Sequence, residues 1–193
     1  MTFKPEFIIR DYRPSDEPQW LECRVLALLQ SAYFDDVRQT KETYSSHSIE
    51  LIAVSGNKIS GLLDIAQEER HGEIFGMIWH LATHPEYRRL GIASRLIEEG
   101  KRRASALGIA RLEAWTRDDG FVNDWYRSQG FRQITHYYHI HPSEEEVRKT
   151  NILTSPFEAV RPITGFLHYY GDNPAFLQQF SRVHECRRYD LVF

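Results

Sequence analysis

Residues 77–98 read MIWHLATHPEYRRLGIASRLIE. The apolar run 77–83 has the composition of a strand and stops at His84-Pro85, since proline has no N–H for a ladder and restricts the residue before it. A basic turn, Arg88-Arg89-Leu90-Gly91-Ile92-Ala93, then leads into residues at helical spacing. A helix beginning near Gly91 leaves its first N–H groups without intrahelical partners. With the positive end of the helix dipole and with Arg88 and Arg89 beside them, these groups suit a pyrophosphate. Gly91 has no Cβ to obstruct phosphate oxygens, and Ala93 keeps the next turn narrow. Taken alone, one glycine and two arginines at a helix start also serve simple capping.

Outward from this segment, strands and helices alternate. Upstream, the strand extends back to Glu73, and 51–54 and 59–66 read as two strands joined by the turn Ser55-Gly56-Asn57-Lys58. Trp20, Leu21, Val25, Leu28 and Leu29 recur at helical spacing as far as Ala32, behind an N-cap at Ser15-Asp16 with Pro18 in the first turn. Phe7-Ile8-Ile9 makes a first strand, and residues 35–48 are polar without periodicity. Downstream, the helix 91–107 is expected to turn Ile92, Leu96, Ala104 and Leu107 inward. It turns Arg95, Glu98, Glu99, Arg102 and Arg103 outward, with Glu98/Arg102 and Glu99/Arg103 in the favourable i,i+4 order. A strand at Arg111–Thr116, a short helix at 121–128, a strand at 131–140 and a final strand at 184–193 follow. The pattern predicts an α/β (α+β) fold with a mixed sheet flanked by helices.

Between the last two strands lie residues 142–183, longer than a hairpin needs. This insertion opens with Pro142-Ser143-Glu144-Glu145-Glu146, a helix start with acid at its positive end, and a second helix is expected at 173–180. Phe157, Phe166, His168, Tyr169 and Tyr170 are too many aromatics for a disordered linker and must pack on something.

A chain of 193 residues with 41% hydrophobic residues is the size of one domain, so 1–193 reads as a single domain carrying the insertion. A net charge of −3 points away from nucleic acid as the main partner. Cys23 and Cys186 have neither metal-ligand nor redox spacing and read as packing residues; no metal is expected. No segment approaches eighteen consecutive apolar residues and the N-terminus has no signal pattern, which points to a cytoplasmic protein without a membrane partner.

The hexapeptide 88–93 fits Arg/Gln-x-x-Gly-x-Gly/Ala, and LATHPEYRRLGIASRLIE resembles the cofactor-binding segment of the GNAT superfamily, the acyl-CoA-dependent N-acyltransferases. Downstream, WYRSQGF at 125–131 is similar to that family's aromatic-Tyr-x-x-x-Gly-Phe element. The resemblance covers residues 6–141, and more loosely the last ten.

The resemblance implies that the sheet is mostly antiparallel and splayed at the cofactor site. The pantetheine of acetyl-CoA would pair with backbone groups of Leu81, Ala82 and Thr83. The pyrophosphate would rest on the N–H groups of Arg89, Leu90, Gly91, Ile92, Ala93 and Ser94, beside Arg88. Tyr126 matches the tyrosine that gives a proton to the departing thiolate, although beside a tryptophan on a short helix such a residue is also ordinary core. Asp119 stands where the family often has an asparagine touching the cofactor, and an ionised Asp cannot donate that hydrogen bond. The base that takes the amine's proton sits in several relatives at positions held here by Met77 and Trp79, neither of which can act so. His80 is the leading candidate, provided a bulge turns it from the opposite face; Glu73, Glu113, Asp118 and His168 are others. In the family the 142–183 segment borders the acceptor pocket, so it is a substrate lid, or else an extra packing layer or dimer contact.

The reading is an N-acetyltransferase that moves an acetyl group from acetyl-CoA directly to a primary amine, a small molecule before a protein, with a homodimer open. The competing class is a module that binds acyl-CoA without transfer. An unrelated nucleotide-binding protein would need a Gly-rich signature that is not found. The acidic residues 144–146 and Asp35-Asp36 would suit a cationic polyamine or aminoglycoside, or simply solvated surface.

Overall fold

A computed structural model describes residues 6–193; the reading of the extreme N-terminus at 1–5 lies outside the described residues. The chain runs β1 (Ile8–Asp11), α1 (Glu17–Leu28), β2 (Ser48–Ser55), β3 (Lys58–Arg70), β4 (Glu73–Thr83), α2 (Ile92–Ala106), β5 (Arg111–Thr116) and α3 (Gly120–Ser128). It continues with β6 (Arg132–Ile140), α4 (Glu144–Thr150), β7 (Leu167–Tyr169), α5 (Pro174–Leu177) and β8 (Val183–Val192). One sheet orders them β1-β2-β3-β4-β5-β8-β6-β7. Among the described residues only the β4–β5 pair is parallel; the other pairs are antiparallel.

Turn chemistry sets the meander. Between β3 and β4 both turn residues, His71 and Gly72, have positive φ (55° and 81°), the backbone that a two-residue hairpin turn needs to match strand twist. Alternation along β2 and β3 then divides the core between the two faces. Ile52, Ile59 and Leu62 meet Trp20 and Cys23 of α1, whereas Leu51, Leu63 and Ile65 belong with Leu96 and Ile97 of α2. Tyr126 of α3, Phe131 and Tyr189 continue the α2 side.

Three expectations are corrected. The first helix ends at Leu28 rather than Ala32, because the residues beyond are drawn to the α3 end of the sheet: the Asp119 carboxylate accepts the Ala32 N–H, and the Arg117 guanidinium donates to the Ala32 carbonyl. Leu107 is 42% exposed, since α2 closes a residue earlier with Leu107 N–H bonded to Ala104 O, and Ile97 and Gly100 take the inward places instead. The outward pairing also differs: Glu99 holds both Arg102 and Arg103, and Arg103 further reaches Asp11. Within the insertion, Ser143 and Glu146 form a capping box that starts α4.

Glu113 on β5 is fully buried, yet its carboxylate accepts two bonds from Arg70 (2.8 and 2.9 Å), one from Arg111 (3.0 Å) and one from the Trp115 indole (2.8 Å). Burial alone would raise its carboxyl; Arg70, Trp115 and Arg111 outweigh that and hold it at about 2. A depressed folded-state pKa gives stability that is present above the ordinary value of 4.5 and lost as pH falls towards 2. Melting temperature measured across that interval is expected to fall steeply, and Glu113→Gln is expected to flatten the slope from an already lower starting point.

Candidate active site

The parallel register Gly76↔Leu112, Met77↔Glu113, Ile78↔Ala114 ends there, while β4 stays paired with β3 up to Thr83. Beyond Ile78 the two strands part, so backbone groups of 79–83 on the β5 side have no ladder partner among the described residues. The open edge runs into the turn before α2. Arg88 is extended, and Arg89 and Gly91 are left-handed at φ 62° and 82°. Alternating handedness of this sort aims successive N–H groups into one concavity, a nest for an anion. Among the described residues no backbone N–H from Arg89 to Ser94 has a protein partner; the first helical bond is Arg95 N–H to Gly91 O at 3.0 Å. A Cβ on Gly91 would meet nothing within 4 Å, so the concavity is open. Ile92 is buried and Leu90 packs on the core, which anchors the nest from behind. Arg89 is exposed at its rim. The Arg88 guanidinium donates to the Ala27 carbonyl at 3.0 Å, so part of its donor set is spent on α1.

Tyr126 of α3 is 6% exposed. Its ring stacks on Tyr189 at 5.5 Å and meets Phe131 edge-on at 5.0 Å. It is thus a core ring as well as a candidate acid. Burial pushes its phenol well above the ordinary range, so the proton stays on the oxygen, and the hydroxyl makes no hydrogen bond among the described residues. Asp119, at the N-cap of α3, has its carboxylate on the Ala32 N–H at 3.0 and 3.1 Å and is engaged with the 29–36 segment.

His80 sits where a bulge interrupts β4. Asp64 faces His80 but the next residue, Ile65, faces Ile78, leaving Trp79 as the extra residue. The bulge moves His80 onto the α1 face, which it shares with Asp64. There its ring meets Trp20 edge-on at 5.1 Å, Arg24 Nε donates to Nδ1 at 3.4 Å, and Nε2 lies 2.9 Å from Glu42 Oε2. That last pair is close without being aligned, since both atoms lack hydrogen-bond geometry. Trp20 Nε1 and Asp64 Oδ1 are likewise buried and unpartnered, so four such atoms gather at one place. Burial alone would raise the Glu42 carboxyl; the His80 ring and Arg38 outweigh it and hold it down to about 2.

Beneath them the Lys41 ammonium bonds Asp64 (2.8 Å) and Glu50 (2.7 Å), with the rings of Tyr12, Trp20 and Tyr44 at 4.9, 5.2 and 5.1 Å. Removing one partner of a buried pair leaves an uncompensated charge, so Lys41→Met is expected to cost about 3–5 kcal/mol in urea denaturation.

Comparison with known proteins decides what this arrangement is. The model of the Acetyltransferase (GNAT) family matches residues 6–131. The chain belongs to the GNAT acetyltransferase family. No curated protein sequence matches it. Solved structures share the fold at low identity. The ribosomal-protein-S18-alanine N-acetyltransferase of Escherichia coli is 13% identical over 97% of this chain and 94% of that one, with a TM-score of 0.55. A GNAT acetyltransferase of Streptococcus pneumoniae is 15% identical over 97% and 100%, at 0.59. PaiA N-acetyltransferase of Thermoplasma acidophilum, solved with coenzyme A, is 15% identical over 67% and 91%, at 0.55.

In this acetyltransferase the remaining sequence candidates for a base are paired elsewhere. Glu73 holds Arg111, Glu113 holds its arginines, Asp118 holds His184 and His168 stacks on His139. Lys41, Glu42 and Asp64 were not legible as site residues: they come from a stretch without periodicity and from a strand interior, and only the bulge brings them to His80. Surface concavities of about 180 Å³ beside α4 and about 420 Å³ between β6 and β8 lie away from the splay. Among the described residues, no helix is long and apolar enough to cross a membrane, and no three His, Cys, Asp or Glu are grouped to hold a metal.

Proposed function

We propose that this acetyltransferase moves an acetyl group from acetyl-CoA to a primary amine of a small-molecule acceptor, by direct attack within a ternary complex. The observation that carries the reading is proximity in the chain: the unpaired edge of β4 is followed, after one short turn at 85–87, by the nest of free N–H groups at 89–94. An extended amide-bearing arm ending in a pyrophosphate fits that pair of features, and the coenzyme A complex of the Thermoplasma relative supports it. Leu81, Ala82 and Thr83 hold the arm through their backbones. Arg89 to Ser94 hold the phosphates, with Arg88 and Arg89 alongside. We infer that Asp119 serves the site by fixing the 29–36 segment rather than by donating to the cofactor. The whole chain then works as one acetyltransferase domain, with 142–183 inserted into it.

Two groups handle protons. His80 takes the amine's proton at Nδ1, where the 3.4 Å contact from Arg24 is long enough to give way, and Glu42 beyond Nε2 offsets the new charge. Tyr126 gives its phenolic proton to the leaving thiolate. Cys23 and Cys186 are buried thiols held protonated by burial, pushed to about 12 and about 11, which speaks against an acyl-cysteine intermediate. One observation favours the alternative of a non-catalytic acyl-CoA-binding module: both His80 nitrogens already face partners. Thiol release from acetyl-CoA, followed across polyamines, aminoglycosides, amino acids and short peptides, separates the two. Amine-dependent release supports transfer; coenzyme A binding with no turnover supports the module.

A further inference from the structure

The insertion builds a surface that the transfer reading leaves unused. Along β6 and the residue after it, and along β7 and the residues flanking it, alternate residues place rings on one face: Tyr137, His139 and His141 on one side, Phe166, His168 and Tyr170 opposite. His139 stacks on His168 at 4.9 Å, Phe166 on His141 at 4.9 Å, and Tyr137 lies 5.3 Å from Tyr170. The row reaches the splay itself, since Trp115 of β5 is 5.1 Å from Tyr137. Trp115 pairs with Arg188 while its neighbour Ala114, paired with Tyr189, points into the α2 core, so the ring wall lies on the face that also carries His80. α1 packs on β3 and β4, at the other end of that face. The outer rings are open: Phe166 is 50% and Tyr170 78% exposed.

Charge narrows what this wall can hold. The Arg117 guanidinium is buried behind it and donates to His139 Nδ1 at 3.0 Å, and Arg182 flanks it. Burial and Arg117 hold the His139 ring down to about 3, and burial with Arg182 holds His141 at about 4, so both imidazoles are neutral. The acidic residues that would greet a polycation are spent. Asp35 is bound to Arg182, Asp36 to Arg24, Asp118 to His184 and Glu144 to Arg161, while Glu146 caps its own helix. Flat ring faces also attract a cation, but the Arg117 guanidinium behind these opposes a second ammonium, and the same faces stack well on another ring.

We propose that the wall from Trp115 to Tyr170 binds an aromatic ring of the acceptor, so that the substrate is a primary amine bearing an aromatic group rather than a polyamine or aminoglycoside. The proposal rests on the transfer reading above. Its test compares thiol release with phenethylamine, butylamine and spermidine, each as a full saturation curve. Phenethylamine is expected to exceed the other two in kcat/KM by about tenfold, carried by KM, as one or two ring contacts provide. In Phe166→Ala, and separately in Tyr170→Ala, whose side chain stands largely outside the fold, the phenethylamine advantage is expected to collapse. Equal or better turnover of butylamine or spermidine by the wild-type protein overturns the ring preference and leaves transfer standing, as does an advantage that survives both substitutions. No thiol release with any amine overturns both.

Discussion

Tyr126→Phe is expected to lower kcat by about 10²- to 10⁴-fold, the usual contribution of a positioned general acid, with acetyl-CoA affinity retained. The substitution removes one oxygen that has no hydrogen-bond partner among the described residues and keeps the ring that stacks on Tyr189 and meets Phe131. Stability is therefore expected to stay within about 0.5 kcal/mol of wild type. Steady-state thiol release with calorimetric titration of acetyl-CoA and a melting curve checks all three. Undiminished kcat would assign Tyr126 to the core alone, the role its burial also fits.

His80→Gln is expected to cost about 10²-fold in kcat/KM for the amine near pH 7, and the deficit should shrink with rising pH. The reason is the substrate's own protonation: an alkylamine titrates near pH 10, so each unit of pH towards that value multiplies its free base about tenfold and makes an enzyme base less necessary. A loss caused only by loosened packing around Trp20 and Arg24 would be the same at every pH. Glu42→Gln is expected to follow the same profile with a smaller amplitude, because it leaves the imidazole in place and removes only the charge that stabilises its protonated form.

The local signals in the sequence were strong where an element's identity depends on its own residues. Apolar composition bounded β4 and β5 at Glu73–Thr83 and Arg111–Thr116, where the structure has them, and glycine with two arginines at 88–91 marked the turn that becomes the N–H nest. Those features need only short-range chemistry: strand and helix preference, a left-handed glycine and the free amides of a helix start. The three-residue strand β7 had no such signal, because it exists only by pairing with β6.

What neighbours decide was illegible. The expected end of the first helix ran past Leu28 because the pull of Asp119 and Arg117 on Ala32 comes from residues more than eighty positions away. Whether His80 faced α1 hung on a bulge that alternation cannot announce, and the tertiary fold supplied it at Trp79. Lys41 and Glu42 became neighbours of His80 and Asp64 only when 35–47 folded over the sheet, since the partners that hold a buried charge come from any part of the chain. Sequence alone determined the family, most of the elements and the basic turn before α2, each written in contiguous residues. Tertiary structure decided which side chains surround His80, because Trp20 and Arg24 of α1, Asp64 of β3 and Glu42 of the 35–47 segment meet it only through register, bulge and the path of an aperiodic loop.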